Sequence, residues 1–429
     1  MSTTNTATAS VTAEASQALE TARHHLAAAA ERLCLPDAIR RRLMLPKEQI
    51  TLQLHPVLPC GKSLECTAYI IRHSDVLGPA KGGIRMSTRV SADSIAGLAM
   101  EMTWKTALIG VPFGGGKSGI ACDPSSLTPD EKELLIRAFA RSAHRHIGPE
   151  VYVPAPDMGT GEEEMGYIRD CVSHSEGVSI TRGCFVTGKP VILGGIHGRR
   201  EATGKGVVHT LAAACRHLGM EISGLRVAVQ GFGNVGAVAA QELYARGARI
   251  VAVADLTGGL YAEGGMDIPA LQAHVRATGG LSGFSGAIAI NPDAVFEQDC
   301  DVVIPAASGS QIHAGNAGKI RARIVAEGAN VPLTPEADAI LNKAGVFIIP
   351  DILCNAGGVF VSYLEYAQET QREQMSLKEV EERLRERMES TFAEVLAYSV
   401  AHNLPMRAAA MDIAVGRVAE GIHARGAHP

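Results

Sequence analysis

The chain of 429 residues is short of several things, and each shortage excludes a class of protein. No uninterrupted apolar run approaches the ~18 residues that suggest a membrane span, so no membrane partner is expected. Neither sign of charge dominates: 40 lysines and arginines against 45 aspartates and glutamates give a formal net charge of -5. Nucleic acid and anionic membrane surfaces are poor partners for such a chain. The nine cysteines are odd in number, scattered, and without any CxxC pair. That pattern fits reduced thiols in a cytoplasm better than a disulfide framework or a zinc site, and no metal is expected. Aromatic residues are only 4% of the chain while glycines number 46, so tight turns and close backbone approaches are expected. The opening "MSTTNTATASVTAEA" is small and polar, and reads as disordered. It has neither the basic start and apolar stretch of a secretory signal nor the arginines of a mitochondrial presequence. With 46% hydrophobic and 20% charged residues, the profile is that of a soluble globular protein, long enough for two domains.

The stretch "GVPFGGGKSGI", residues 110–120, invites comparison with a phosphate-binding loop. A P-loop needs glycine, four residues, then Gly-Lys-Ser/Thr. Counting back from Gly116-Lys117-Ser118 puts Val111 where the first glycine belongs. The context also fails, because "SADSIAGLAMEMTWKTALIG" before it reads as a helix capped by Ser91. Lys117 in its glycine loop therefore needs another explanation.

Residues 16–44 read as helical, and "QITLQLHPVL" and "SLECTAYIIRHSD" as strands. "PDEKELLIRAFARSAHRHIG" reads as a helix from Pro129 to Gly148, and "EVYVPAPD" as a short strand running into a loop. Beyond residue 200, strands and helices alternate through "DVVIP", "RARIVAEG" and "GVFIIPD", which argues for a parallel, doubly wound sheet. From Asn355 the chain is helical again. The fold class is α/β, with an N-terminal α/β substrate domain and a Rossmann-type dinucleotide domain.

"GFGNVG", residues 231–236, follows the apolar strand "LRVAVQ" and opens a helix, the context that a dinucleotide fingerprint requires. Gly231 makes the tight turn, Gly233 admits the pyrophosphate, and Gly236 lets helix and strand pack closely. Asn234 and Val235 lie within the same turn, at a helix N-terminus that supplies amide donors. Asp255 ends the next strand at about the ~20-residue offset of a ribose contact. An acidic residue there would repel a 2′-phosphate, which favours NAD, with NADP possible.

Three lysines lie in glycine-rich or apolar settings: Lys81 in "GPAKGGIRM", Lys105 in "EMTWKTAL" and Lys117 in "GGGKSG". Asp157 follows in "VPAPDMGTGEEEMGY". Lysines converging on one cleft would bind carboxylates, and their mutual repulsion would lower the pKa of at least one, making it a usable base. For Lys81 and Lys105 taken singly, the local chemistry favours an ordinary surface charge. His144 and His146 are two apart on the expected helix and so diverge, with no further ligand cluster in sight. Cys122 reads as a packed thiol. "GEEEM" reads as a helix start.

Taken together, "GPAKGGIRM", "MTWK", "GGGKSGI", "VPAPDMGTGEEEM", "TGKPVILGGIHGRREATGKGV", "GFGNVG", "VAEGANVPLTPEAD" and "NAGGVFVSYLEYAQ" resemble the signature stretches of the glutamate/leucine/phenylalanine/valine dehydrogenase family. The resemblance runs from about residue 45 to the C-terminus and is strongest to the hexameric members acting on glutamate. It implies reversible oxidative deamination of L-glutamate to 2-oxoglutarate and ammonium, with hydride transfer to a nicotinamide cofactor. It assigns Lys117 to water activation, Asp157 to proton transfer at the substrate nitrogen, and Lys105 to the α-carboxylate. Lys81 and Ser362 match the pair that holds the side-chain carboxylate, where relatives acting on leucine or phenylalanine carry apolar residues. Thr203, Asn234 and Asn330 match residues at the nicotinamide end.

Departures from the family pattern fall at Ser308, Gly309 and Ser310, at Val331 where glycine is common, and at Ser118 where glycine is common. An acidic residue in the place of Asp255 also occurs in NADP-using members. The implied organisation is an N-terminal tail and helix over 1–44, a substrate and oligomerisation domain over 45–200, a dinucleotide domain over 201–364, and C-terminal helices over 365–429 returning to the substrate domain. A cytoplasmic homohexamer is implied. Two alternatives remain: a relative acting on leucine, valine or phenylalanine, and a non-catalytic dinucleotide-binding subunit. The second predicts loss of Lys117 or Asp157, and both are present.

Overall fold

The computed structural model describes residues 4–58, 60–61, 63–177 and 183–426. The chain divides into two compact units: one runs through His197 and includes Phe360–Val380 and everything from Met411 onward, and the other comprises Gly198–Val359 and Glu381–Ala410.

The first unit opens with helix α1 (Thr4–Arg32), which begins inside the stretch expected to be disordered. Nothing in that stretch breaks a helix, since no glycine or proline occurs between Thr4 and Arg32. The single helix expected over 16–44 is two, because Pro36 separates α1 from α2 (Asp37–Met44). Strands β1 (Glu48–Leu54), β2 (Cys66–Ser74) and β3 (Ala80–Met86) lead to helix α3 (Ala92–Ile109). Ser91 and Ser94 form a reciprocal cap at its start, and Gly110 ends it in the left-handed conformation. Strand β4 (Gly114–Ile120), helix α4 (Pro129–Ala143), strand β5 (Tyr152–Pro156) and helix α5 (Glu162–Glu176) follow. The strands form one sheet in the order β1-β2-β4-β3-β5. Strand β4 runs parallel to β3 and antiparallel to β2, and β3 runs parallel to β5. The apolar core on one side of this sheet includes Ile70, Ile84, Ile120, Phe139 and Tyr152.

In the second unit, α6 (Ala202–Leu218), β6 (Arg226–Gln230), α7 (Gly236–Ala245) and β7 (Arg249–Asp255) make the first strand–helix–strand element after the leading helix. Then come β8 (Gly258–Tyr261), α8 (Ile268–Thr278), β9 (Ile288–Ile290), β10 (Val302–Pro305), α9 (Ala314–Ala317), β11 (Ile324–Ala326), α10 (Pro335–Lys343), β12 (Phe347–Ile349) and α11 (Asp351–Cys354). The sheet order is β12-β11-β10-β6-β7-β8-β9, and the five strands from β12 to β7 are parallel. The all-parallel expectation fails at one edge, where β8 and β9 are antiparallel. Asp255 pairs with Gly258 across only two intervening residues, far too few for a parallel crossover.

Three helices complete the chain: α12 (Gly357–Gln371), α13 (Leu377–His402) and α14 (Met406–Ala424). The expected return of residues 365–429 to the first unit is divided, because 381–410 group with the second. Met388 of α13 packs at Gly206 of α6, and Arg407 pairs with Glu327 and Asp351, which anchors that segment locally. Among the described residues, no helix is long and apolar enough to cross a membrane.

Candidate active site

Lys117 lies in the central strand β4, where a loop was expected, and every residue of that strand is buried. Glycine is a poor strand former and masks the alternation by which a strand is read. Here the glycines are needed for packing. A Cβ on Gly115 would lie 2.1 Å from Thr103 Oγ1, and one on Gly116 would press on Ala80 and the Tyr152 ring at 3.0 Å. The sheet can therefore carry a helix closely on one face and an aromatic ring on the other.

Side chains alternate along a strand, so register assigns each residue to a face. Lys81 lies across from Gly115 and Arg85 across from Gly119, and Lys117 falls between those two glycines. Lys81, Arg85 and Lys117 therefore share one face. A Cβ on Gly119 would meet Ile95 of α3, as one on Gly115 would meet Thr103, so this face packs on the helix that carries Lys105. All three lysines are buried, between 1% and 4% exposed, so neither Lys81 nor Lys105 is the ordinary surface charge that local chemistry favours.

Asp157 follows β5 and meets two cations with one oxygen. Arg85 donates from Nε to its Oδ2 at 2.8 Å, and Lys117 Nζ is 3.1 Å from the same atom. Burial pushes the Asp157 carboxyl up, but Arg85 and Lys117 together outweigh that and hold it well below the usual carboxylate range. Burial is also the largest influence on Lys117, pushing its ammonium down to about 8; Asp157 opposes this, and Arg85 and Lys105 add to it. The lysine repulsion expected from the sequence is thus present but secondary to desolvation. Arg85 carried no local signal beyond its strand parity with Lys81, and the sequence reading missed it.

Lys81 Nζ donates to the carbonyl of Val153 at 3.1 Å and reaches that of Pro154 at 3.5 Å, both on β5. Ser362 is buried on α12. One turn further along that helix, Glu365 accepts from the Gly188 amide at 2.7 Å and pairs with Lys189 Nζ at 2.7 Å. Thr187 donates its amide to Pro154, so α12 and β5 are tied through the same short segment. Ser118, a departure from the family pattern, donates to Tyr152 Oη at 2.8 Å, and Tyr152 donates onward to the Gly82 carbonyl. The extra hydroxyl is therefore satisfied within the sheet.

The second unit presents the dinucleotide turn. Gly231 has φ +92°, and Gly236 would place a Cβ 1.8 Å from the Gly231 carbonyl oxygen. A Cβ on Gly233 would meet nothing within 4 Å, which is the open approach a pyrophosphate requires. Asn234 is exposed, Val235 precedes α7, and the helix start supplies amide donors. These residues fit a dinucleotide. At the end of β7, Asp255 Oδ1 accepts from the Thr257 amide and hydroxyl at 2.7 and 2.6 Å, which fixes the orientation of the carboxylate. Thr203 on α6 lies beneath Gly358, whose Cβ would be 2.4 Å from its Oγ1.

Asn330 accepts a bond from Asn355 Nδ2 at 3.3 Å, and Asn355 also holds the Ala329 carbonyl at 2.9 Å. Two of the departures meet beside it. Val331 has φ +48° and Ser310 φ +55°, and the Ser310 amide donates to the Val331 carbonyl at 2.9 Å. Asp351, paired with buried Arg407, accepts the Val331 amide at 2.8 Å and pins it in place. A β-branched residue in the left-handed region is strained by about 1–3 kcal/mol. Glycine would relieve that while losing some of the gain to unfolded-state entropy. Val331→Gly is therefore expected to stabilise the protein by about 1 kcal/mol, read as a higher midpoint in urea unfolding. An unchanged or lower midpoint would mean that the strain is absorbed elsewhere.

The expected helix to Gly148 stops at Ala143, so His144 caps it and His146 lies beyond it. Among the described residues, no group of three or more His, Cys, Asp or Glu side chains is placed to hold a metal. Burial pushes the half-buried Cys122 thiol up to about 12, the opposite of an activated nucleophile.

Comparison with known proteins agrees with this arrangement. Residues 46–174 match the model of the Glu/Leu/Phe/Val dehydrogenase dimerisation domain, and 194–426 that of Glutamate/Leucine/Phenylalanine/Valine dehydrogenase. The chain is 40% identical to glutamate dehydrogenase B of Halobacterium salinarum over 98% of its own length and 97% of the relative's. It is 41% identical to the glutamate dehydrogenase of Thermotoga maritima, over 92% and 94% respectively. Among solved structures, the hetero-hexameric glutamate dehydrogenase of Thermus thermophilus in its Leu-bound form superposes with a TM-score of 0.90 at 35% identity, covering 95% of this chain and 97% of that one. Two units, one with three buried lysines of which Lys117 pairs with an aspartate and one with a dinucleotide turn, together with these matches, establish that the chain belongs to the Glu/Leu/Phe/Val dehydrogenase family.

Proposed function

We propose that the protein catalyses the reversible oxidative deamination of L-glutamate to 2-oxoglutarate and ammonium, and that Lys117 and Asp157 carry the proton transfers. The observation that carries this reading is the cluster against one face of the first unit's sheet, in which half-buried Asp157 bonds half-buried Arg85 and buried Lys117, and buried Lys105 acts on Lys117 from α3. When bound, the nicotinamide accepts the hydride from the substrate Cα. Lys105 holds the α-carboxylate, and Lys81 and Ser362 the side-chain carboxylate. Lys117, neutral in part near pH 8, removes a proton from the water that attacks the iminium carbon. Asp157, itself ionised, relays to the substrate nitrogen the proton that Lys117 takes from the water, so that ammonia departs from the carbinolamine, and Lys117 accepts the hydroxyl proton as the carbonyl forms. Thr203, Asn234 and Asn330 orient the nicotinamide end, and Gly231, Gly233, Val235 and Gly236 form the pyrophosphate turn.

Asp255 supports NAD as the preferred cofactor, since its carboxylate would accept from a ribose hydroxyl and repel a 2′-phosphate. Asp255→Ser is expected to narrow the NAD-over-NADP ratio of kcat/KM by about tenfold, equivalent to ~1.4 kcal/mol. An unmoved ratio would remove Asp255 from cofactor selection. The nine free cysteines support a reducing, cytoplasmic setting, and a homohexamer is the assembly we infer, with native mass as its measure.

The test of the reaction is the rate of reduced nicotinamide formation with L-glutamate, using NAD and NADP separately and L-leucine in parallel. Turnover of glutamate and little of leucine is expected. Turnover of leucine alone would overturn the Lys81 and Ser362 assignment. Failure of both, from folded protein that binds dinucleotide, would favour a non-catalytic subunit.

A further inference from the structure

Asp157 Oδ2 is shared by two cations, and the reaction above uses only one of them. We propose that Arg85 is a positioning residue that takes up the charge of Asp157 and so loosens the hold of that carboxylate on the Lys117 ammonium. The inference rests on the reading of Lys117 as the base, but the coupling it describes is a property of three side chains and can be measured without turnover.

A lysine and an aspartate buried together alone would each hold the other ionised. The aspartate would then be a sink for the lysine's charge, and the lysine would be a poor base. Arg85 changes this in two ways. Its 2.8 Å bond draws on the same oxygen that Lys117 approaches at 3.1 Å, which weakens the hold of Asp157 on the ammonium. Its own charge also opposes that of Lys117. Both effects favour neutral Lys117.

The other groups around the pair leave this role to Arg85. Lys105 of α3 acts on Lys117 as a more distant cation. Tyr152 of β5 directs its hydroxyl to Gly82 and not to Asp157. The main chain of Asp157 is fixed separately, through its amide to Thr160 Oγ1 at 3.0 Å and from Thr160 to the Ile84 carbonyl at 2.8 Å. Removing the charge of Arg85 therefore changes the electrostatics of the carboxylate without releasing its backbone.

The sign follows. Without Arg85, Asp157 gives its whole charge to Lys117 and the repulsion disappears, so Lys117 keeps its proton to higher pH. The experiment is trace acetylation of the intact protein with acetic anhydride across pH, with the extent at Lys117 read by peptide mass spectrometry. Arg85→Gln is expected to move the half-reaction pH of Lys117 up by about one unit or more, and Arg85→Lys to restore most of the wild-type value. Arg85→Met removes the same charge in apolar form should the glutamine variant not fold. In parallel, the pH profile of kcat/KM for glutamate is expected to shift with the labelling curve, lowering the rate about tenfold on its acid side for each unit moved. A folded neutral variant whose Lys117 labels as in the wild type would overturn the proposal. So would a raised KM for glutamate with unmoved labelling, which would make Arg85 a substrate ligand. Labelling that shifts while the rate profile stays fixed would uphold the coupling and refute Lys117 as the base.

Discussion

Replacing Lys117 with methionine is expected to lower kcat for glutamate by about 10³-fold, within the range attributed to a positioned general base. The size of the effect comes from where the residue lies. Lys117 projects from a strand buried along its whole length, its neighbours on the same face are Gly115 and Gly119, the Ser118 hydroxyl is engaged by Tyr152, and no other side chain of β4 can take over its proton. Methionine fills a similar volume and keeps the strand packed, while Arg85 still neutralises Asp157. The loss should therefore appear in kcat with little change in thermal midpoint or in dinucleotide binding to the second unit. The wild-type pH dependence supplies a second reading of the same residue. As the proposed base, Lys117 would act when neutral, and its neutral fraction grows as pH rises through about 8. Below that pH, kcat/KM should fall about tenfold per unit. The methionine variant should lose that slope. A variant that keeps both its rate and its slope would assign the base to another group.

The chemistry of this site was more legible in the sequence than its geometry. "GFGNVG" announced itself because strand, turn and helix are contiguous, and each glycine's constraint is local. Lys117 stood out through its setting among glycines, and Asp157 through the family resemblance. Their relation did not, because it depends on β4 lying beside β3 and β3 beside β5, a topology that no local pattern encodes. Arg85 is the clearest case: its partner is 72 residues away, and the single cue was that it shares strand parity with Lys81. Glycine in β4 hid the strand itself, because it erases the alternation on which strand reading relies. The antiparallel edge was missed for a related reason, as β8 and β9 have only four and three residues and too little sequence to show a period. Val331 and Ser310 were visible as departures from a family pattern. That both occupy the left-handed region, and that one amide bonds the other's carbonyl, needed coordinates.

Lys81→Leu should separate stability from specificity. The lysine is 1% exposed, and two β5 carbonyls solvate its ammonium. Burying an ammonium costs several kcal/mol, which dipoles offset in part and an opposite charge offsets more fully. In the proposed substrate complex, a glutamate side-chain carboxylate brings such a charge to Lys81. Leucine at this position removes the attraction and presents the carboxylate with an apolar wall, so the substrate must shed its hydration for nothing in return. The expected fall in kcat/KM for glutamate is about 10³-fold, corresponding to ~4 kcal/mol for one partner of a buried charge pair. The change should leave turnover of a monocarboxylic amino acid such as L-norvaline equal or higher, since its side chain carries no carboxylate for the lysine to attract. The folded protein should be as stable as the wild type or more so, because an apolar side chain of similar size replaces a buried cation. That combination cannot come from misfolding, which would lower both substrates and the thermal midpoint together. Equal losses for glutamate and norvaline would place Lys81 in the support of β5 instead of in the recognition of the side-chain carboxylate.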